Sequence, residues 1–269
     1  MIEVENLWFR YPNSKDYALK NINLEIDEKE FVLVAGASGC GKSTLVKTFN
    51  GLIPHFNRGE FKGIVKVDGI STLNTTVKDL STKVGIVFQN PENQLIGANV
   101  ERVIEFGLQN IALKREEITE RVERVVKELR IDDIRHRSID SLSGGEKQKV
   151  AIASVLAMNC KILVLDEPLS QLDPKSGLDF LRFLQNLSKS LGVILVEHRL
   201  GNVLQFVMRV ILIDEGEIRM DASPRAFAYG LSEEIVELPK FVKIARLLGL
   251  QGVLTKEELK QEYDRVYRS

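Results

Sequence analysis

Two short stretches of this chain carry residues suited to phosphate. The first is GASGCGKST, residues 36–44, with the spacing G-x-x-x-x-G-K-S/T through Gly36, Gly41, Lys42 and Ser43. Glycines let backbone amides turn inward on an anion. Lys42 is then placed to reach phosphate oxygens and Ser43 to hold Mg²⁺, while Ala37, Ser38, Gly39, Cys40 and Thr44 complete the cradle. The bland alternative is a tight turn that binds nothing. The amides around Cys40 favour its thiolate, although a small side chain filling a tight turn is sufficient explanation for it. The second stretch is LSGGE, residues 142–146, where Ser143, Gly144 and Gly145 precede an apolar helix. A hydroxyl and bare amides at a helix N-terminus also suit an anion, yet Ser-Gly-Gly turns cap many helices. One nucleotide does not need two such turns.

ILVLDEP, residues 162–168, supplies an acid pair. Asp166 closes an apolar run, where a carboxylate is costly unless paired with a cation. Mg²⁺ is the natural partner. Glu167 follows and is placed to polarise an attacking water; alone it would read as a solvated surface acid, but beside Asp166 and a complete phosphate loop it reads as catalytic. His55 and His136 have no partners at ligand spacing, so no transition-metal site is expected.

The elements that must position these groups follow from periodicity. Residues 2–9 and 20–26 alternate in polarity and predict strands. FVLVAG at 31–36, KVGIVFQ at 83–89, KILVLDE at 161–167 and GVILVEH at 192–198 are continuous apolar runs of buried-strand type, and IVKVDG at 64–69 is a strand ending in a turn. Residues 99–158 are helical, with Ile118, Val122, Val125 and Leu129 on one face. Asp173-Pro174 caps and opens a helix to about residue 189. A hairpin is expected around Glu215-Gly216, and Thr255 with Glu258 spells a capping box for the last helix. Apolar strands alternating with helices predict an α/β fold, a mainly parallel sheet with helices on both faces. A small antiparallel sheet lies beside it, with a helical insertion at about 90–158.

The net charge of −1 gives no general affinity for nucleic acid. The longest apolar runs fall far short of the roughly 20 residues of a membrane helix, and the N-terminal stretch lacks a leader's apolar core. Two cysteines, Cys40 and Cys160, make no disulfide framework, which fits a reducing compartment.

Taken in order, the loop at 36–44, Gln89, LSGGE, Asp166-Glu167, SQLD at 170–173 and His198 resemble the nucleotide-binding subunits of ABC transporters over roughly residues 1–224. That resemblance implies a P-loop ATPase that binds ATP and Mg²⁺ and works as a head-to-tail dimer. Each ATP then lies between one subunit's phosphate loop and the other's LSGG turn, so the two turns serve different nucleotides. It further implies that Gln89 contacts Mg²⁺ or the attacking water, that His198 holds the γ-phosphate and that Tyr11 stacks on adenine. Asp173 crosses the dimer interface, a role compatible with capping its helix. Glu146 stands where the family more often has glutamine.

NGLIPHF at 50–56, FQNPENQL at 88–95, LSGGEKQKVAIASVLAM at 142–158, SQLDP at 170–174 and VEHRL at 196–200 resemble the energy-coupling factor branch. The branch implies a second ATPase subunit, identical or homologous. It also implies a membrane-spanning coupling subunit, a substrate-capture membrane protein for a vitamin or transition metal, and a place on the cytoplasmic face of the membrane. The segment 90–100, with Leu95 and Ile96 beside Asn93 and Gln94, is the expected partner contact, the alternative being that both pack on the helical insertion. Residues 225–269 form a C-terminal helical extension. Its face through Phe241, Ile244, Ala245 and Leu248 serves either dimer contacts or packing on its own domain. Another ABC importer's ATPase, or a soluble ABC ATPase of DNA repair or translation, is the alternative. A single motif set and a compact helical segment between Gln89 and Ser143 argue against the soluble classes.

Overall fold

The computed structural model describes residues 1–170, 172–230 and 236–268. Gln171 of the SQLD stretch, and residues 231–235 and 269 of the C-terminal extension, lie outside the described residues. The chain opens with strands β1 (Ile2–Arg10), β2 (Leu19–Ile26) and β3 (Phe31–Ala35), then helix α1 (Lys42–Phe49) and a short turn α2 (Leu52–His55). Strands β4 (Glu60–Val67) and β5 (Ile70–Ser71), helix α3 (Val77–Ser81) and strand β6 (Val84–Val87) follow. Helices α4 (Val100–Asn110), α5 (Arg115–Leu129) and α6 (Gly144–Ala157) precede strand β7 (Ile162–Asp166), helix α7 (Pro174–Leu187) and strand β8 (Gly192–Glu197). The hairpin β9 (Arg209–Asp214) and β10 (Glu217–Ala222) leads to helices α8 (Pro224–Gly230), α9 (Lys240–Leu247) and α10 (Lys256–Tyr267).

Two sheets form. The antiparallel one has the order β2-β1-β4-β5, and the larger has the order β10-β9-β3-β8-β7-β6. In the larger sheet only β10 runs antiparallel to its neighbour. The apolar runs become these central strands because both faces are covered. Phe31, Leu33 and Ala35 face a core shared with α4–α7, whereas Val32 and Val34 face the core beneath the antiparallel sheet. Leu163 and Leu165 alternate with Ile162 and Val164 in the same way, as do Val193 and Leu195 with Ile194 and Val196. Truncating wholly buried Leu33 to alanine should cost about 2–5 kcal/mol, transfer and cavity terms together.

The parallel strands share one direction, and register aligns their carboxyl ends. Ala35 sits opposite Glu197, and Asp166 opposite Val196. The segments leaving β3, β8, β7 and β6 therefore emerge side by side, at the edge where open α/β sheets bind ligands.

Several boundaries differ from the expectations. β4 begins at Glu60, not 64, because its first residues carry no buried alternation to read. β6 and β7 stop before Gln89 and Glu167, the latter because Glu167 turns to φ 50°. The capping box at α10 is half made: Thr255 Oγ1 accepts from the Glu258 amide at 3.0 Å, while Glu258 reaches back to Leu254 N–H at 2.6 Å, one residue early. At α9, Phe241 and Ala245 join the main core and Leu248 packs partly against it, but Ile244 is 47% exposed, so one of the four expected apolar residues leaves the face. Among the described residues, no helix is long and apolar enough to cross a membrane.

Candidate active site

β3 delivers the chain into the glycine loop, whose base is packed and whose crest is open. A Cβ at Gly36 would meet Ile213 O at 2.2 Å, and one at Gly41 would meet Ala18 O at 2.5 Å. Nothing lies within 4 Å of a Cβ placed at Gly39. The three glycines hold φ of 150°, 82° and 113°, a region that would strain any residue with a Cβ. Ala37, Ser38 and Gly39 are exposed at the crest, while Cys40, Lys42 and Thr44 are buried below. Lys42 Nζ donates to Gly36 O at 2.9 Å and Ala37 O at 2.8 Å, so the ammonium sits curled against the loop that an anion would enter. Burial pushes the Cys40 thiol up despite the opposing influence of Lys42. The small-residue reading of Cys40 therefore fits better than a reactive thiolate.

Ser43, at the start of α1, donates its hydroxyl to Asp166 Oδ1 at 3.0 Å. This bond joins the phosphate loop to the end of β7 across 123 residues of sequence. Asp166 is 6% exposed, and burial raises its pKa; Ser43 counteracts this, and neighbouring Glu167 adds to it. The protein alone thus leaves this carboxylate's charge incompletely compensated. Adjacent hydroxyl and carboxylate oxygens with that deficit fit Mg²⁺, a hard cation that takes few protein ligands.

Glu167 is where three segments meet. Its left-handed backbone is fastened by its own N–H, which donates to Val196 O at 2.9 Å. Gln89 Nε2 donates to Glu167 Oε2 at 2.8 Å, and His198 Nδ1 stands 3.4 Å from Glu167 Oε1. That buried His198 nitrogen makes no hydrogen bond, leaving an unused polar atom at the site. Sequence spacing alone does not reveal this triple convergence. It arises because β6, β7 and β8 end side by side and Glu167 leaves the strand.

Tyr11 follows β1, with its ring edge-on to Phe9 at 4.8 Å and its hydroxyl 3.2 Å from Thr44 Oγ1. It borders an open cleft of about 390 Å³, next to Asn13 and Gly59. Tyr11 is thus packed against Phe9 and at the same time borders room for a flat ligand. Asp173 caps α7, accepting from Lys175 N at 3.0 Å and Ser176 N at 3.2 Å, and it remains exposed.

The LSGGE turn opens α6. Ser143 caps the helix and Glu146 answers it in a full capping box, with Glu146 Oε2 accepting from Ser143 N–H at 2.7 Å and from its hydroxyl at 2.8 Å. Arg137 pairs with the other oxygen of Glu146 at 3.0 Å. The serine amide and hydroxyl, bonded together with Arg137, hold the Glu146 carboxyl below its usual pKa. The structure thus seats a carboxylate against Ser143, a feature the sequence reading did not anticipate although Ser-x-x-Glu spells it.

Two further groups went unread, Gln148 and Glu197. Both are polar residues at buried positions, 5% and 2% exposed. The available signal was the break each makes in an apolar pattern, on α6 and at the end of β8 respectively.

Residues 19–170 match the family model described as ABC transporter. A provisionally named ABC transporter ATP-binding protein of Pyrococcus horikoshii is 44% identical over 96% of this chain and 95% of its own length. One from Methanosarcina acetivorans is 42% identical over 94% of this chain, which spans only 40% of that relative's length. Among solved structures, cbiO1 of Clostridium perfringens, described as part of the ABC transporter complex cbiONQ, superposes with a TM-score of 0.76. It is 28% identical, and the match covers 99% of this chain and 95% of that one. A dimeric ATP-binding cassette in a post-hydrolysis state with ADP and Pi gives a TM-score of 0.72 at 31% identity, covering 84% of this chain and all of that one. With a family match over more than half of its residues and such relatives over nearly all of them, this chain belongs to the ABC transporter family and carries its ABC ATPase domain.

Proposed function

We propose that this chain is the ATP-hydrolysing subunit of a membrane importer of the energy-coupling factor type, working as a head-to-tail dimer with a second ATPase subunit, identical or homologous. The carrying observation is the Ser43–Asp166 bond at 3.0 Å, which sets a metal-suited oxygen pair between the phosphate loop and Glu167. Ser43, Asp166 and Gln89 are the residues to hold Mg²⁺, which when bound neutralises charge developing on the phosphate oxygens. Gly36, Ala37, Ser38, Gly39, Cys40, Gly41, Lys42, Ser43 and Thr44 cradle the phosphates of ATP, and Tyr11 takes the adenine. Glu167 acts as the base that draws a proton from the attacking water. Gln89 orients that carboxylate by donating to one of its oxygens at 2.8 Å, and His198, 3.4 Å from the other, holds the γ-phosphate. Ser143, Gly144, Gly145 and Asp173 serve the partner's nucleotide.

The importer reading draws on the Clostridium perfringens structure, described as part of an ABC transporter complex. On this proposal the chain works on the cytoplasmic face of a membrane beside a coupling subunit, and through that subunit beside a substrate-capture protein for a vitamin or transition metal. Residues 1–224 are the ATPase domain, with a helical subdomain at about 90–158, and residues 225–269 are an extension. In the segment proposed to meet the coupling subunit, Ile96 is 54% exposed and available, whereas Leu95 packs partly on the core. Gln94 there is structural, bracing Ile86 O and Phe88 N–H at 2.9 and 2.8 Å.

The test is Glu167→Gln. Steady-state hydrolysis should fall at least about 100-fold, the usual worth of a positioned base, while equilibrium ATP binding stays intact and an ATP-loaded dimer accumulates on gel filtration. Near-normal turnover removes Glu167 from the mechanism.

A further inference from the structure

The peptide unit joining Pro168 to Leu169 is held at both of its polar ends by buried side chains from different elements. Pro168 O accepts from Gln148 Nε2 at 2.8 Å, and Leu169 N–H donates to Glu197 Oε1 at 3.0 Å. Gln148 lies on α6, the helix that Ser143 caps. Glu197 is the last residue of β8, immediately before His198. This peptide begins one residue after Glu167 and leads toward Asp173. With the Glu167 amide already bonded to Val196 O at 2.9 Å, three bonds fasten three consecutive residues.

The placement is costly, which argues that the bonds matter. Glu197 is 2% exposed, and burial, with Glu167 and Asp166 near, raises its pKa to about 7. An apolar residue would finish β8 at less cost, but it would leave the Leu169 amide without an acceptor, and buried amides are rarely left so. Gln148 likewise interrupts the apolar face of α6.

We propose that Gln148 and Glu197 are positioning residues that clamp the Pro168–Leu169 peptide from opposite ends, fixing the orientation of Glu167 and tying it to the helix that starts at Ser143. The proposal rests on the reading of Glu167 as the base. A shift of α6 then pulls on Pro168 O, while Glu197 holds the other end of the same rigid amide plane against the strand that leads into His198. Any force that Ser143 feels from a bound phosphate thus has a short covalent and hydrogen-bonded route to the carboxylate.

The experiment uses the full chain and two readouts. Hydrogen exchange at the Leu169 amide should speed up at least tenfold in Gln148→Met, although the amide's own acceptor is untouched. Turnover in Gln148→Met and in Glu197→Met should fall about tenfold at unchanged ATP affinity, a loss in kcat without a change in KM. Glu197→Gln keeps an acceptor for Leu169 and should retain turnover within twofold. The double variant should lose no more than the worse single one, because both loosen one peptide. Should Gln148→Met melt early, Gln148→Asn replaces it, polar but a methylene short of Pro168 O. Unchanged exchange at Leu169 overturns the clamp. Faster exchange with normal kcat, multiplicative losses in the double variant, or a Glu197→Gln as impaired as Glu197→Met each overturn its role in catalysis. Glu167→Gln is run alongside. If it turns over normally, the base reading has failed, and the exchange data still judge the clamp.

Discussion

The loop at 36–44 and the turn at 142–146 are both helix starts that offer amides and a hydroxyl, but they are filled with opposite charge. In the loop, Lys42 folds its ammonium onto Gly36 O and Ala37 O beneath an open crest. In the turn, the Glu146 carboxylate already occupies the Ser143 amide and hydroxyl, with Arg137 behind it. An arriving phosphate finds an attractive cation in the first and a competing anion in the second. On the proposed reading the loop binds on its own, and the turn engages when a nucleotide held by another chain outweighs its internal partner Glu146.

Lys42→Ala should separate the two regions most sharply. It removes a charge-assisted contact of about 1.5–3 kcal/mol, so ATP binding to the isolated chain should weaken about 10–100-fold. Ser143→Ala should leave that same binding within twofold. Titration with a fluorescent ATP analogue measures both. Equal losses would mean that the turn and the loop share one nucleotide within a chain.

A second prediction concerns Glu197, which lies between the regions. Burial first, then Glu167 and Asp166, raise its pKa from 4.5 to about 7, against the lowering effect of the Leu169 and His198 amides. A folded-state pKa above the unfolded one means stability that is complete below about pH 4.5 and lost as pH climbs through about 7. The wild type should therefore lose ground to Glu197→Gln between pH 5 and 8, by about 1–3 kcal/mol at roughly 1.4 kcal/mol per unit. Urea melts of nucleotide-free protein at the two pH values read this directly. A difference that does not change with pH would show that Glu197 titrates normally.

The same contrast explains what was legible in the sequence. Gly36, Gly41, Lys42 and Ser43 announce themselves because one contiguous spacing makes the whole loop. The strands that end at Asp166 and just before His198 are legible because burial on both faces leaves continuous apolar runs. The meeting of Gln89, Glu167 and His198 is not, since it depends on a single backbone angle at Glu167 and on which strands are neighbours. Gln148 and Glu197 are harder still: their partner is a main-chain peptide, which has no sequence signature. The split face of α9 shows the opposite error. Helical spacing put Ile244 with Phe241, Ala245 and Leu248; the core takes Phe241 and Ala245 with Leu248 partly buried against it, but leaves Ile244 47% and neighbouring Leu247 87% exposed.

The smallest expected effect tests the filled turn itself. Glu146→Gln keeps an oxygen to accept from Ser143 and so keeps the capping geometry, but removes the negative charge. On the proposed dimer reading, a phosphate approaching Ser143 then meets no like charge. The gain is modest because Arg137 already offsets Glu146 at 3.0 Å and the pair is partly solvated, its side chains 42% and 30% exposed. Exposed charge pairs contribute about 0.2–1 kcal/mol, so ATP-dependent dimerisation in the Glu167→Gln background should tighten about two- to fivefold. The gain should shrink as salt shortens the screening length toward about 3 Å at 1 M. Arg137→Ala should act in reverse, leaving Glu146 uncompensated and weakening the dimer by a similar factor. Analytical ultracentrifugation at 0.05 and 1 M salt distinguishes the two directions. If both substitutions weaken the dimer alike, irrespective of salt, Glu146 and Arg137 serve only to cap the helix, and the contrast between a cationic loop and an anionic turn carries no energy.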